Sequence, residues 1–180
     1  MVSIKPALTL FTLIAVSALL LGILYDVTRE PIRQQQIIRE TEMIALLLPG
    51  TAQVDEEYLD IPSLIKIVTG YDNQREILGY VVTAYAPGYA GPVEIMAGFD
   101  TDGVLMGVQI LSQRETPGLW TAILNADFLG QFPGRTSAMT VVRMATAEDE
   151  IQALTSATIS TEAVVNAINA AMAYIIDRLN

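Results

Sequence analysis

From Pro6 to Tyr25 the chain reads PALTLFTLIAVSALLLGILY, twenty residues without a charge. No other stretch restricts the fold so severely. As a helix rising 1.5 Å per residue it is roughly 30 Å long, the thickness of a bilayer's hydrocarbon core. Tyr25 stands where an interfacial aromatic belongs, and Lys5 marks the other end. A signal peptide would have a shorter apolar core and an Ala-x-Ala-like cleavage site, and none follows Leu24. The chain has no cysteine, so no thiol is available for a lipid. The reading is a retained single-pass anchor over residues 1–27, in contact with membrane lipid.

Lys5 faces Arg29, Arg33 and Arg39 across the span, and simple positive-inside counting leans toward a cytoplasmic body. Thr9, Thr12 and Ser17 form either a seam against a partner helix or hydroxyls bonded back to their own helix.

The absence of both cysteine and histidine excludes much chemistry. Disulfides, a thiolate nucleophile, zinc sites of the usual kind and Cys-ligated iron–sulfur clusters are ruled out. A Ser-His-Asp triad is impossible. Any redox role needs an organic cofactor held without soft ligands. The net charge is −10, with nine basic and twenty acidic residues after Tyr25. Such a surface repels phosphate backbones, so nucleic acid is not an expected partner. It serves solubility, or it steers a basic partner.

After the anchor, the pattern predicts a connecting helix over 28–50. Thr28 is its N-cap, Pro31 lies in its first turn, and Pro49-Gly50 ends it. Strand-like runs follow: IKIV at 65–68, ILGYVVTAY at 77–85, VEIMAGFD at 93–100 and VLMGVQIL at 104–111. Asp102-Gly103 reads as a hairpin turn, so the pairing is antiparallel. Neither a GxGxxG fingerprint nor a P-loop is present. Pro117-Gly118 breaks the chain before a short helix at about 120–129, followed by TVVRM at 140–144 and the acidic AEDE at 147–150. A last helix spans about Ser160 to Arg178, with Val164, Ala167, Ile168, Ala171 and Ile175 along one face. The expectation is an α+β body over 51–180, an antiparallel sheet flanked by helices.

The stretch that carries chemistry is LTSATISTE at 154–162, hydroxyl-rich and opening onto that last helix. Unpaired backbone N–H groups and the positive end of a helix dipole suit an anion, phosphate above all. A capping role for Ser160 or Thr161, with Glu162 close behind, explains the same residues without a ligand.

Thr155-Ser156-Ala157-Thr158-Ile159-Ser160 resembles the flavinylation motif of proteins with an FMN-binding domain, Asp-x-x-Ser/Thr-Gly-Ala-Thr-x-Ser/Thr. Gln152 stands where that motif has Asp, and Ser156 where it has Gly. Glu115-Thr116-Pro117-Gly118-Leu119 resembles the ETPGLG segment of the same proteins, with Trp120 in place of the last Gly. GYAGPVEI at 88–95 is similar to their GYGGP-type loop. With the anchor, these occur in the same order as in the G subunits of Rnf electron-transport complexes. The shared family includes the longer C subunit of sodium-pumping NADH:quinone oxidoreductase.

The resemblance implies a covalent FMN, joined through its phosphate to Thr158 by a flavin transferase. Thr155, Ser156, Ala157 and Ser160 would then surround the phosphate. Glu115, Thr116, Gly118, Leu119 and Trp120 would contact the flavin or shape its loop. It further implies a body on the outer, periplasmic face of the cytoplasmic membrane, against the charge count. The chain would relay electrons among other integral and peripheral subunits of a complex that couples ferredoxin/NAD electron transfer to Na⁺ or H⁺ translocation.

A cofactor-free membrane adaptor or assembly subunit is the competing reading, and the departures at Gln152 and Ser156 speak for it. A third reading is a pilin-like module. FTLIAV is similar to the amino end of type IV pilins, but these carry Glu where Ala15 stands and Gly where Leu10 stands.

Overall fold

The computed structural model describes residues 5–113, 123–147, 149–155 and 157–179. The uncharged run lies inside one long helix, α1 (Lys5–Leu47), of 43 residues. At 1.5 Å per residue that is about 64 Å, twice what a bilayer core requires. The chain divides into two compact units, residues 1–41 and 42–180. In the first, the apolar side chains are exposed all round the helix, among them Leu8, Phe11, Leu13, Val16, Leu20 and Leu24. An all-round apolar surface suits lipid and not water. Thr9 and Thr12 donate to Pro6 O and Thr9 O, both at 2.9 Å, so these two hydroxyls are satisfied within the helix.

The helix start expected at Thr28 does not exist. Its hydroxyl donates backward to Leu24 O at 2.7 Å and so cannot cap a new helix. α1 passes through Pro31 without a break.

The second unit is built on a five-stranded antiparallel meander in sequence order. Its strands are β1 (Gln53–Tyr58), β2 (Leu64–Tyr71), β3 (Ile77–Pro87), β4 (Pro92–Phe99) and β5 (Leu105–Ser112). Then come α2 (Ala126–Leu129), β6 (Thr140–Val142), β7 (Glu150–Gln152) and α3 (Thr158–Leu179). β6 and β7 form a separate parallel pair.

The central strands read as nearly continuous apolar runs because both faces of the sheet are covered. On one face Val82, Ala84, Val93, Ile95, Ala97 and Phe99 pack with Val164, Ile168, Ala171 and Ile175 of α3. On the other, Val68, Val81 and Met96 pack with Ile44, Leu47 and Leu48 at the end of α1. α3 is also long and apolar enough to cross a membrane, but its inner stripe is buried against the sheet.

Close approach of α1's end depends on glycine. Gly98 and Gly107 are register partners on β4 and β5. A Cβ at Gly98 would lie 2.8 Å from Leu47 Cβ, and one at Gly107 would lie 3.3 Å from Leu47 Cδ2.

The Asp102-Gly103 turn forms as expected. Asp100 Oδ1 accepts from Asp102 N at 2.9 Å and Val104 N at 2.8 Å, and Gly103 has φ +79°. Asn169 on α3 fastens the 139 region from both sides, accepting from Met139 N and donating to Met139 O, each at 2.8 Å. Asn169→Leu strands both backbone groups, and a loss of about 2–3 kcal/mol is expected in urea unfolding of the detergent-solubilised chain. An unchanged midpoint would mean that this tie contributes nothing.

Candidate functional site

The 154–162 run is delivered by the β6–β7 pair. Val141 lies beside Ile151, which is fully buried, and Ala153 N donates to Val142 O at 2.7 Å, extending the pairing one residue. From α2's side, Gln131 Oε1 accepts from Gln152 N at 2.8 Å. The chain then turns, Ala157 N bonding Leu154 O at 3.0 Å, and α3 begins.

Thr161 holds this turn against the helix. Its hydroxyl donates to Ala157 O at 2.9 Å and accepts from Leu154 N at 3.4 Å, with no solvent exposure. It lies on α3's buried stripe, as does Ser160, so neither caps the helix from outside. The helix starts two residues earlier than the pattern suggested.

The result is a sorted presentation of side chains. Thr158 and Ile159 are exposed and Thr155 is exposed beside them, while Ala157 and Ser160 are 3% and 1% exposed. The first i→i−4 bond of α3 is Thr161 N to Ala157 O at 2.8 Å. The N–H groups of Thr158, Ile159 and Ser160 precede it and have no partner within the helix. They put partial positive charge next to the Thr158 hydroxyl. Ala157, small and buried, keeps bulk away from that end. A threonine hydroxyl at the head of a 22-residue helix is suited to carrying a phosphate ester. Alongside lies an open recess of about 410 Å³, lined by Asp127, Phe128, Gln131, Gln152, Ala153, Leu154 and Thr155.

The structure therefore brings Thr155, Ala157 and Thr158 together, and it turns Ser160 toward the core. Ser156, Glu115, Thr116, Gly118, Leu119 and Trp120 lie outside the described residues. Sequence reasoning missed Gln131 and assigned Thr161 only a capping role. Thr161 had a signal, since it falls three residues before Val164 on the apolar stripe. Gln131 had none. No group of three or more acidic side chains that could hold a metal occurs among the described residues.

Upstream, Glu150 Oε2 accepts from Thr146 N at 2.6 Å, Thr146 Oγ1 at 3.0 Å and Ala147 N at 3.1 Å. The Thr146 N–H, then its hydroxyl, then the Ala147 N–H hold this carboxyl below its ordinary value of 4.5. A depressed folded-state value means that the contribution is complete above the unfolded value and is lost as pH falls through the folded one. Glu150→Gln is thus expected to lower the unfolding temperature at pH 7. The gap to the unsubstituted chain should close below about pH 4.5. A gap independent of pH would show that the carboxylate's charge plays no part.

A family model described as the FMN-binding domain matches residues 88–173. The chain is 32% identical over 183 residues to the G subunit of the Na(+)-translocating ferredoxin:NAD(+) oxidoreductase complex of Acetobacterium woodii, covering 92% of this chain and 87% of that one. It is 29% identical over 180 residues to the G subunit of the ion-translocating oxidoreductase complex of Methanosarcina acetivorans, covering 95% and 93%. The crystal structure of Shewanella oneidensis NqrC superposes with a TM-score of 0.55 at 17% identity over 72% of this chain and 71% of that one, a likeness of fold.

Proposed function

The chain belongs to the G subunits of ion-translocating oxidoreductase complexes, and from that premise we propose that it is a membrane-anchored electron relay whose FMN is esterified to Thr158. It is an electron-transfer flavoprotein subunit of such a complex. The covalent attachment, the outer-face orientation and the single pass are the proposed parts.

One observation carries the attachment: Thr158 is exposed at the head of α3 while its neighbours Ala157, Ser160 and Thr161 are buried. The residues present fit the phosphate end of FMN. FMN, when bound, supplies the two-electron/one-electron redox chemistry that no side chain here can supply. The chain's own groups hold and orient. Thr158 would provide the ester oxygen, and the N–H groups opening α3 would hold the remaining phosphate charge. Thr155 flanks the ester, and Ala157 leaves room for it. Glu115, Thr116, Gly118, Leu119 and Trp120 are assigned to the flavin's surroundings, and Ser156 to the phosphate. Ser160, turned inward, serves the helix start instead.

A threonine hydroxyl is a weak nucleophile without a base, and the chain has no histidine to act as one. Ester formation is assigned to a separate flavin transferase, as the resemblance to flavinylated proteins implies. The tether keeps the cofactor at a high local concentration on the outer face, where free FMN would be lost by dilution. Residues 1–27 contact lipid, 28–50 connect, and 51–180 form the flavin-carrying body. The partners are the other subunits of a complex that couples ferredoxin/NAD electron transfer to Na⁺ or H⁺ movement. Two relatives carry these ions in their names, one Na(+)-translocating from Acetobacterium woodii and one proton-translocating from Clostridium ljungdahlii.

The test is to unfold the complex purified from its native membrane in guanidinium and pass it over a desalting column. Flavin absorbance moving with the polypeptide is expected. Flavin released to the small-molecule fraction would mean non-covalent binding. Flavin absent throughout would favour the adaptor.

A further inference from the structure

We propose that the outer edge of β1 is a strand-addition site for an extended, lysine- or arginine-bearing segment of a neighbouring subunit. β1 pairs with β2 through six registered positions, from Gln53↔Tyr71 to Tyr58↔Lys66. It stands at the end of the strand order, and no other strand among the described residues pairs with its far side. All six of its residues, QVDEEY, are exposed. A free strand edge presents backbone donors and acceptors ready to bond another chain.

Two ion pairs tie this strand to its neighbours. Alternation sends Glu56 and Glu57 to opposite faces of the sheet. Glu56 Oε2 meets Lys66 Nζ at 3.2 Å, and Glu57 Oε2 meets Arg178 Nη1 on α3 at 3.1 Å. Both ties lie on the faces and leave the edge open. The carboxylates stay accessible, their side chains 40% and 59% exposed. Val54 and Tyr58 are 42% and 76% exposed, apolar surface that a merely protected edge would avoid. Off the strand's first half lies a recess of about 660 Å³, lined by Gln53, Val54, Asp55, Tyr71 and Arg75. It offers room for a side chain of an added strand, which is how such sites gain specificity.

Charge selects the occupant. Two copies of β1 paired antiparallel about Glu56 would set Glu56 against Glu56 and Asp55 against Glu57. Like charges directly opposite destabilise a strand pair. A segment with Lys or Arg at those positions is attracted instead, toward a body with nine basic and twenty acidic residues after Tyr25. The chain belongs to a family of complex subunits, and the other subunits are the source from which such a segment would come.

The experiment places a photo-crosslinking amino acid at Val54 in the full chain, within native membranes. A control carries it at Met106 on β5, which is 44% exposed. Mass mapping then identifies what is captured. Val54 is expected to capture one stretch of a different subunit containing Lys or Arg. Asp55→Lys should cut that yield at least about five-fold while thermal unfolding stays cooperative. Capture of a second copy of this chain, capture of lipid, or a yield no greater than at Met106 would each overturn the proposal. So would a yield indifferent to Asp55→Lys.

Discussion

Thr158→Ala is expected to yield a chain that folds, inserts and carries no flavin at all. The effect is all or none because one oxygen atom makes the bond. Alanine suits a helix start sterically, and the exposed threonine side chain contributes little packing, so stability should hold within about 0.5 kcal/mol. Flavin fluorescence of the chain on a denaturing gel reads the outcome. Thr155→Ala and Ser160→Ala should keep most of the signal, because neither supplies the ester oxygen. Fluorescence persisting in Thr158→Ala would move the acceptor to another hydroxyl. Thr155 would be the first to examine, being exposed in the same run.

Gly98→Val should give the largest loss of stability of any single substitution considered, about 3 kcal/mol or more. The introduced Cβ would sit 2.8 Å from Leu47 Cβ and 3.3 Å from Leu47 O. Neither atom is the free end of a flexible side chain, so the end of α1 must lift from the sheet. That uncovers Val68, Val81 and Met96, which are fully buried under Ile44, Leu47 and Leu48. Gly107→Ala is the graded comparison. Its Cβ meets only Leu47 Cδ2, at 3.3 Å, and a rotamer shift can absorb that. Urea unfolding should rank Gly98→Val far below Gly107→Ala. Equal midpoints would show that the glycine row is not what seats the helix.

What sequence reasoning could reach depended on how local the signal was. Twenty residues without charge specify an apolar helix long enough to cross a membrane, with no help from tertiary structure. The three central strands, β2–β4, were legible because burial on both faces makes them largely apolar and β-branched, and β5, at the far edge, because its inner face is buried. β1 was not. Its QVDEEY lies at an exposed edge, where nothing enforces alternation. β7 was hidden because only Ile151 of its three residues is buried. Thr28 reads as an N-cap in the sequence, yet its hydroxyl bonds backward to Leu24 O, which no local pattern signals. Continuity of α1 through Pro31 removes a backbone bond whose loss is ordinarily disruptive.

At the candidate site the motif singled out the Ala157-Thr158 pair, but the sorting of its neighbours had no local signal. That sorting depends on which face of α3 meets the sheet, and it turns Ser160 and Thr161 inward while leaving Thr158 out. The bond from Gln152 N to Gln131 Oε1 spans 21 residues, beyond the reach of any local pattern.

The most direct measurement is the mass of the proteolytic fragment from Met144 to Arg178, prepared from the chain in its native membrane. The account predicts the fragment heavier by one FMN less one water, with fragmentation placing the increment on Thr158. A fragment at its unmodified mass, from membranes that flavinylate another protein, would contradict the covalent relay.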